Sequence, residues 1–288
     1  MHKYLCYHFF LGGHDAEMME IKNILSIHGY PFEDADLQWD NAKVSAYRDK
    51  LASFPADKIP VLIELGIDMA VPGNKKIIDH HGKNAGSDKK TSLEQIAELL
   101  QIQLTRDQQL ISANDRGHIR GMLAMGATPE EIEKIRLSDR NAQKITDQDY
   151  IFAYEAIAQI QEPFPGFALI DSKTRRTAAI IDQIWNRYQT IIIKAPGEIH
   201  VSGPGKLIEA LKAHYKKITE AKPDVRFWSG GMLPIYGYFG SNYIDEKEVL
   251  EMAHQHAAFS QHVFLFPFMI SNVRLRSCIY PSWTGRLI

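Results

Sequence analysis

Residues 75–81 read KKIIDHH, and no other run constrains this chain as much. Two lysines lead into Ile77-Ile78, an apolar pair with the character of a buried strand end. Asp79, His80 and His81 follow where that strand must stop. Neutral imidazole nitrogen and carboxylate oxygen are usual protein ligands of manganese, zinc and iron. A bare His-His pair would be an ordinary polar turn. Three further acidic stretches make it more: His14-Asp15-Ala16-Glu17, Glu64, and Asn114-Asp115-Arg116-Gly117-His118 fall where a shared site needs them.

The N-terminal half reads as alternating strands and helices. Residues 3–10 are aromatic and apolar and form a first strand, and Gly12-Gly13 allows a sharp turn. Residues 16–25 have helical spacing, with Met18, Ile21, Ile24 and Leu25 on one face. Residues 14–17 therefore occupy a strand-to-helix turn. There Asp15 can cap the helix, and Asp15 with Glu17 can supply paired carboxylates. Asp34-Ala35-Asp36 is a second acidic pair, in a polar stretch with no well-formed helix after it. Residues 61–65 form a compact apolar run after Pro60, a central strand of a parallel sheet. Glu64 lies inside that run, and buried acids are rarely left unpaired; Asp68 is the fallback.

Residues 91–100 place Leu93, Ile96, Ala97 and Leu100 on one helical face. A capping box opens that helix, either Thr91-x-x-Glu94 or Ser92-x-x-Gln95, and a helix N-terminus favours a bound anion. An apolar helix at 110–113 leads into the loop 114–118. Thr128-Pro129-Glu130-Glu131 is a helix start with cap, proline and first-turn acids in place. Helical pattern over 147–161 ends at Pro163-Phe164-Pro165-Gly166, which sets the domain boundary between residues 162 and 163.

Beyond it, strands are expected at 167–171, 190–194 and 225–228, and helices at 177–188, 206–221 and 246–256, a second, smaller α/β domain. Glycine loops are expected at Gly197, 202–205, 229–231 and around Gly237 and Gly240. Tyr236, Tyr238 and Phe239 are either core or a surface on which a base can stack. Residues 262–269 read as a buried strand. Arg274, Arg276 and Arg286 are either a phosphate site or ordinary surface.

Composition narrows the class. The 288 residues are 45% hydrophobic and 24% charged, as in soluble globular proteins. A net charge of -2 leaves no footprint for long duplex nucleic acid, so a small anionic substrate in a local basic pocket fits better. Cys6 and Cys278 make no disulfide framework, which points to a reducing cytoplasm. No apolar run reaches the roughly 18 residues of a membrane span.

Asp79-His80-His81, the hydroxyl-bearing helix start at Thr91-Ser92 and the Asp115-Arg116-Gly117 stretch resemble, in order and spacing, motifs of the DHH phosphoesterase superfamily. The resemblance covers residues 3–160. It implies an α/β fold: a parallel-sheet DHH-like catalytic domain over 1–162, a smaller substrate-binding α/β domain over 163–288, and a cleft between them. It implies hydrolysis of a phosphoester or phosphoanhydride in a small phosphorylated substrate such as a nucleotide, dinucleotide or short oligonucleotide. One or two divalent ions are implied, manganese ahead of magnesium, zinc or iron, on Asp15, Glu17, Glu64, His80, Asp115 and His14. His81 would contact phosphate, and Asp79 would orient an imidazole. Arg116, His118, Lys83, Ser92, Gly230 and Gly231 would hold substrate. A homodimer is compatible with it, and no membrane partner is implied.

Glu17 and Glu64 stand where the superfamily carries aspartate. Ser229-Gly230-Gly231-Met232-Leu233-Pro234 lacks the histidine of the superfamily's glycine loop. These departures leave a second expectation: a catalytically degenerate nucleotide-binding or regulatory protein on the same fold.

Overall fold

The computed structural model describes residues 6–39 and 41–257. The expected strand at 262–269 and Arg274, Arg276 and Arg286 lie outside the described residues.

Four short strands open the chain: β1 (Tyr7–Leu11), β2 (Phe32–Glu33), β3 (Ile59–Ile63) and β4 (Lys76–Ile78). They pair in parallel in the order β2-β1-β3-β4. The inner strands β1 and β3 are largely apolar because both faces of the sheet are covered there. Phe9, Leu11, Val61 and Ile63 pack into the helices on one side. Phe10 and Leu62 pack on the other, against Val44, Tyr47 and Leu51 around the short helix α2 (Arg48–Ala52). β3 is an interior strand, as its composition predicts. β4 is an edge, so only Ile78 of the isoleucine pair is buried and Ile77 is 52% exposed.

Register aligns the site. Leu11 pairs with Ile63, and Ile63 with Ile78, so β1, β3 and β4 end level. The residues that follow each strand therefore emerge along one edge of the sheet, where open α/β sheets place their ligands. Gly12 makes this approach possible, since a Cβ there would stand 2.3 Å from the Glu64 carbonyl oxygen.

The helices over this sheet are α1 (Ala16–Ile27), α3 (Ser92–Leu100), α4 (Arg106–Ala124) and α5 (Pro129–Ala142). Their starts are local chemistry. Asp15 accepts from the Met18 amide to cap α1, Thr91 with Glu94 forms the capping box of α3, and Thr128 with Glu131 that of α5. α4 is interrupted at Gly117 and at His118, whose φ of 54° is in the left-handed region. The expected loop at 114–118 is thus a break within a helix that resumes at once.

The second sheet contains β5 (Phe167–Asp171), β6 (Thr190–Ala195), β7 (Glu198–Pro204), β8 (Phe227–Gly230) and β9 (Tyr236–Ser241), in the order β5-β6-β7-β9-β8. β5 and β6 are parallel; the remaining pairings are antiparallel. β7 and β9 occupy stretches expected as glycine loops, because Gly203, Gly237 and Gly240 lie inside strands. One face packs on α8 (Gly205–Ala221) and α9 (Glu246–Ala257) through Ile192, Ile199, Val201 and Phe239. The β5–β6 part of the other face packs on α6 (Asp147–Ile157) and α7 (Ala178–Ile184). This second core therefore begins at α6, before the expected boundary at 162/163. No described helix is long and apolar enough to cross a membrane.

Several contacts join the units. Met232 fills the space over Gly117, where a Cβ would meet its Sδ at 2.1 Å, and the Leu233 carbonyl accepts from the Ser87 amide at 2.9 Å. Asp182 of α7 is bonded to Arg136 Nε at 3.0 Å, Arg140 Nη1 at 2.6 Å and His118 Nε2 at 2.8 Å. Burial alone would raise its pKa. His118, Arg136 and Arg140 outweigh burial and hold the carboxyl well below its ordinary range.

A depressed carboxyl stabilises above its unfolded value, about 3.9, and loses that contribution as pH falls through the folded value. Asp182→Asn should cost about 3 kcal/mol or more at pH 7, because buried arginines lose their partner. Urea unfolding of both proteins checks this: the gap should hold from pH 7 to 5 and narrow below pH 4.

Candidate metal centre

The three level strand ends and the first half of α4 bring Asp15, Glu17, Glu64, His80, His81 and Asp115 to one place. Glu17, His80 and Asp115 each present a ligand atom within 4.8 Å of the others, and so do Glu64, His80 and His81. His80 belongs to both groups, an arrangement that suits one ion or two sharing a ligand. Asp15, Glu17, Glu64 and His80 are all buried.

Glu17 and Glu64 are each half satisfied by the protein. Glu17 Oε1 accepts from the Leu93 amide at 3.0 Å, and Glu64 Oε1 accepts from Ser92 Oγ at 2.6 Å. Glu17 Oε2, Glu64 Oε2, His80 Nδ1 and Asp115 Oδ2 are buried and make no hydrogen bond. His80 Nε2 stands 2.7 Å from Asp115 Oδ2, yet the pair is not aligned as donor and acceptor. Atoms that converge without bonding one another are placed to share a third partner. Four carboxyl groups against two imidazoles make that partner a cation.

The electrostatics agree. Burial, then the Asp115 and Glu64 charges, raise Glu17 and Asp15 well above the usual carboxyl range. Burial opposes charge on His80, but Asp115, Glu64 and Glu17 overcome it and push its pKa up to about 12. Burial likewise opposes charge on His81, and Glu64, Asp79 and Asp115 raise it to about 9. Asp115 is lowered despite its burial, because His80 and His81 face it.

The other expected residues fall as follows. Asp79 accepts from the His81 amide at 2.9 Å and from Asn84 Nδ2 at 3.1 Å, and its Oδ1 lies 3.5 Å from His81 Nδ1. It thus braces the histidine turn without joining either ligand group. His14 turns away: its Nδ1 lies 3.0 Å from Asp36 Oδ1. Asp36 also pairs with Lys144 and Asp34 with Lys22, so the second acidic pair forms ion pairs away from the centre. Asp68 accepts from Ser45 at the surface. Ser92 holds Glu64. Arg116 is bonded to the Lys89 carbonyl and to Glu94, and His118 to Asp182, so both serve the scaffold. Lys83 is exposed on the turn after His81. Gly230 lies beneath the Tyr238 hydroxyl, and Gly231 turns at a φ of 105°.

Some participants escape a reading of the sequence. Asp139 accepts from the Ala16 amide at 3.1 Å and from Arg136 at 2.6 Å, tying α5 to the start of α1. Arg136, Asp139 and Arg140 share a helical face, but charge at that spacing also describes a solvated face. Asp182 leaves a plainer signal, an acid inside the apolar run AAIIDQI. Trp39 lies against Gly13, its ring centroid 5.1 Å from that of His81.

No protein-family model matches the sequence, and no curated protein matches it. Among solved structures, the pGpG-specific phosphodiesterase PggH from Vibrio cholerae aligns over 88% of this chain and 99% of its own. Its identity is 14% and its TM-score 0.34. A likeness of that degree decides neither fold nor activity, and the reading below rests on the residues themselves.

In chelator, His80 and His81 hold protons that the unfolded chain releases near pH 6.5. Their contribution is complete below that pH and is lost as pH rises toward about 9 and about 12. Between pH 7 and 9 the unfolding free energy should fall by about 1.4 kcal/mol per pH unit for each such proton. His80→Asn should remove much of the slope. Denaturant unfolding in chelator at three pH values measures it.

Proposed function

We propose that the protein is a DHH-type metal-dependent phosphoesterase acting on a small phosphorylated substrate. The observation that carries this is the set of four buried atoms on Glu17, Glu64, His80 and Asp115 that converge without making a hydrogen bond. Those four residues would hold the ion, with His81 able to join through the group it forms with Glu64 and His80. The donors are carboxylate oxygen and imidazole nitrogen with no thiolate, which suits manganese, iron, magnesium or zinc. When bound, such an ion supplies Lewis acidity, easing attack by water and offsetting charge on phosphoryl oxygens.

The protein's own contribution is placement. Ser92 and the Leu93 amide fix one oxygen of Glu64 and of Glu17, so each acid offers its other oxygen inward. Asp79 and Asn84 hold the turn that carries His81, whose partly exposed side chain is the histidine a substrate phosphate can reach. Positioning of this kind lowers the barrier by removing reorganisation at the moment of reaction.

One observation favours the second reading, a regulatory nucleotide-binding protein without turnover. Arg116 and His118, the expected phosphate contacts, are engaged by Glu94 and Asp182. A single assay separates the two. Wild type should hydrolyse bis(p-nitrophenyl) phosphate with added manganese and not in chelator. Asp115→Asn should lose more than the roughly 10–100-fold that outer-shell changes cost while keeping its fold by circular dichroism; its melting temperature in chelator should fall, because buried His80 loses the carboxylate that faces it. Manganese binding with no turnover of this ester or of a nucleotide panel would favour the regulatory reading. Near-normal turnover in Asp115→Asn would remove Asp115 from the site.

A further inference from the structure

Between α7 and the half of the second sheet that no described helix covers on that face lies a cavity of about 270 Å³. His200 and Ser202 of β7, Tyr238 of β9 and Trp228 of β8 line it, and Thr177 and Ile181 close it from the helix side. Two cross-strand pairs shape this lining. Trp228 is paired with Gly240, and Tyr238 with Gly230. A Cβ on Gly240 would meet the indole at 2.4 Å, and one on Gly230 would meet the Tyr238 hydroxyl at 2.5 Å. Each aromatic side chain thus lies over the glycine opposite it, in the way rings shield glycine in strands.

Shielding glycine does not account for the whole arrangement. Trp228 remains 38% exposed, although it borders a cavity. His200 stands edge-on to it, with centroids 5.7 Å apart at 65°. His200 Nε2 is held by Glu198 at 3.1 Å, leaving Nδ1 for a ligand. Ser202 and Thr177 add hydroxyls. Aromatic faces with hydrogen-bonding groups at their edge suit a flat heteroaromatic ring. A volume below the roughly 300–1,000 Å³ of pockets for drug-sized ligands suits one ring system, not two. The cavity's sheet also adjoins the metal centre: β8, which carries Trp228, packs beside the turn Gly82–Asn84 that follows His81, and burial together with the Asp115, Glu64, Asp15 and Asp79 charges raises the pKa of the Tyr238 hydroxyl. Of the three aromatics expected as a stacking surface, Tyr238 and Phe239 border the cavity, but the Phe239 ring packs on Tyr215 and Phe227. Phe239 points into the opposite face, and Tyr236 lies under Arg120 at 4.4 Å.

We infer that this cavity receives the base of a nucleoside, and that the phosphate joined to it reaches the metal centre. The second clause rests on the phosphoesterase reading; the first does not. The substrate class is then a nucleotide held by one base, with any further nucleotides outside the cavity.

Saturation-transfer NMR on the full chain in chelator tests the base site without using the metal. The probes are adenosine and guanosine, with ribose as control; none carries phosphate. Base protons should receive at least about fivefold more saturation than ribose protons, and free ribose almost none. Trp228→Ala should abolish that excess and Trp228→Phe retain most of it. Ser202→Leu, which fills the cavity without uncovering a glycine, should act as Trp228→Ala does and covers the case in which that variant unfolds. Equal transfer to ribose and nucleoside, or an excess that survives Ser202→Leu in a folded protein, would overturn the proposal. Nucleoside binding without metal-dependent hydrolysis would keep the base site and remove the phosphoesterase reading. Hydrolysis without base preference would do the reverse.

Discussion

Three parallel strands that end level with one another create the conditions for everything else at this site. The pairing Leu11–Ile63–Ile78 leaves Glu64 and His80 no choice but to emerge side by side, with Glu17 in the first turn of α1 just after β1. Strand pairing is thereby set against electrostatics: the register that buries the apolar runs also buries several acids together. The chain relieves part of this with amide and hydroxyl donors from Leu93, Ser92 and Met18, and part with the His80 charge. What remains unsatisfied is four inward atoms of ligand type. A fold does not hold such a group for stability, since apolar side chains of similar volume would serve better.

The break in α4 couples this centre to the second unit. Asp115 is in the last turn before Gly117 and reaches the strand ends. His118, just past the break, reaches Asp182 of the second unit instead. Met232 occupies the space over Gly117. One irregular turn thus positions a ligand on one side and an ion-pair network on the other. The base cavity and the metal centre would then be held in a fixed relation, which a nucleotide spanning both would require.

Much of the first unit is legible in the sequence because its signals are local. Continuous apolar runs mark β1 and β3, and Asp15, Thr91 and Thr128 mark helix starts by hydrogen bonds to residues three positions on. Glu17, Glu64, His80 and Asp115 stand out because an acid or imidazole beside an apolar run needs a partner. Arg116 and His118 are less legible. Their charge suggests phosphate contact, but their partners Glu94 and Asp182 are 22 and 64 residues distant. His14 is a similar case, since only the fold brings it to Asp36. β7 and β9 are hidden by their glycines, which read as turns until Trp228 and Tyr238 are seen to lie over two of the glycines in this sheet.

The central claim is that Glu17, Glu64, His80 and Asp115 share a cation. Anomalous diffraction from crystals soaked in manganese, recorded above and below the manganese absorption edge, tests it most directly. The account predicts one or two anomalous peaks bonded to these four side chains, with Glu64 Oε2 and Glu17 Oε2 among the ligand atoms. Crystals that diffract well from a manganese-saturated solution and carry no peak among these residues would contradict it.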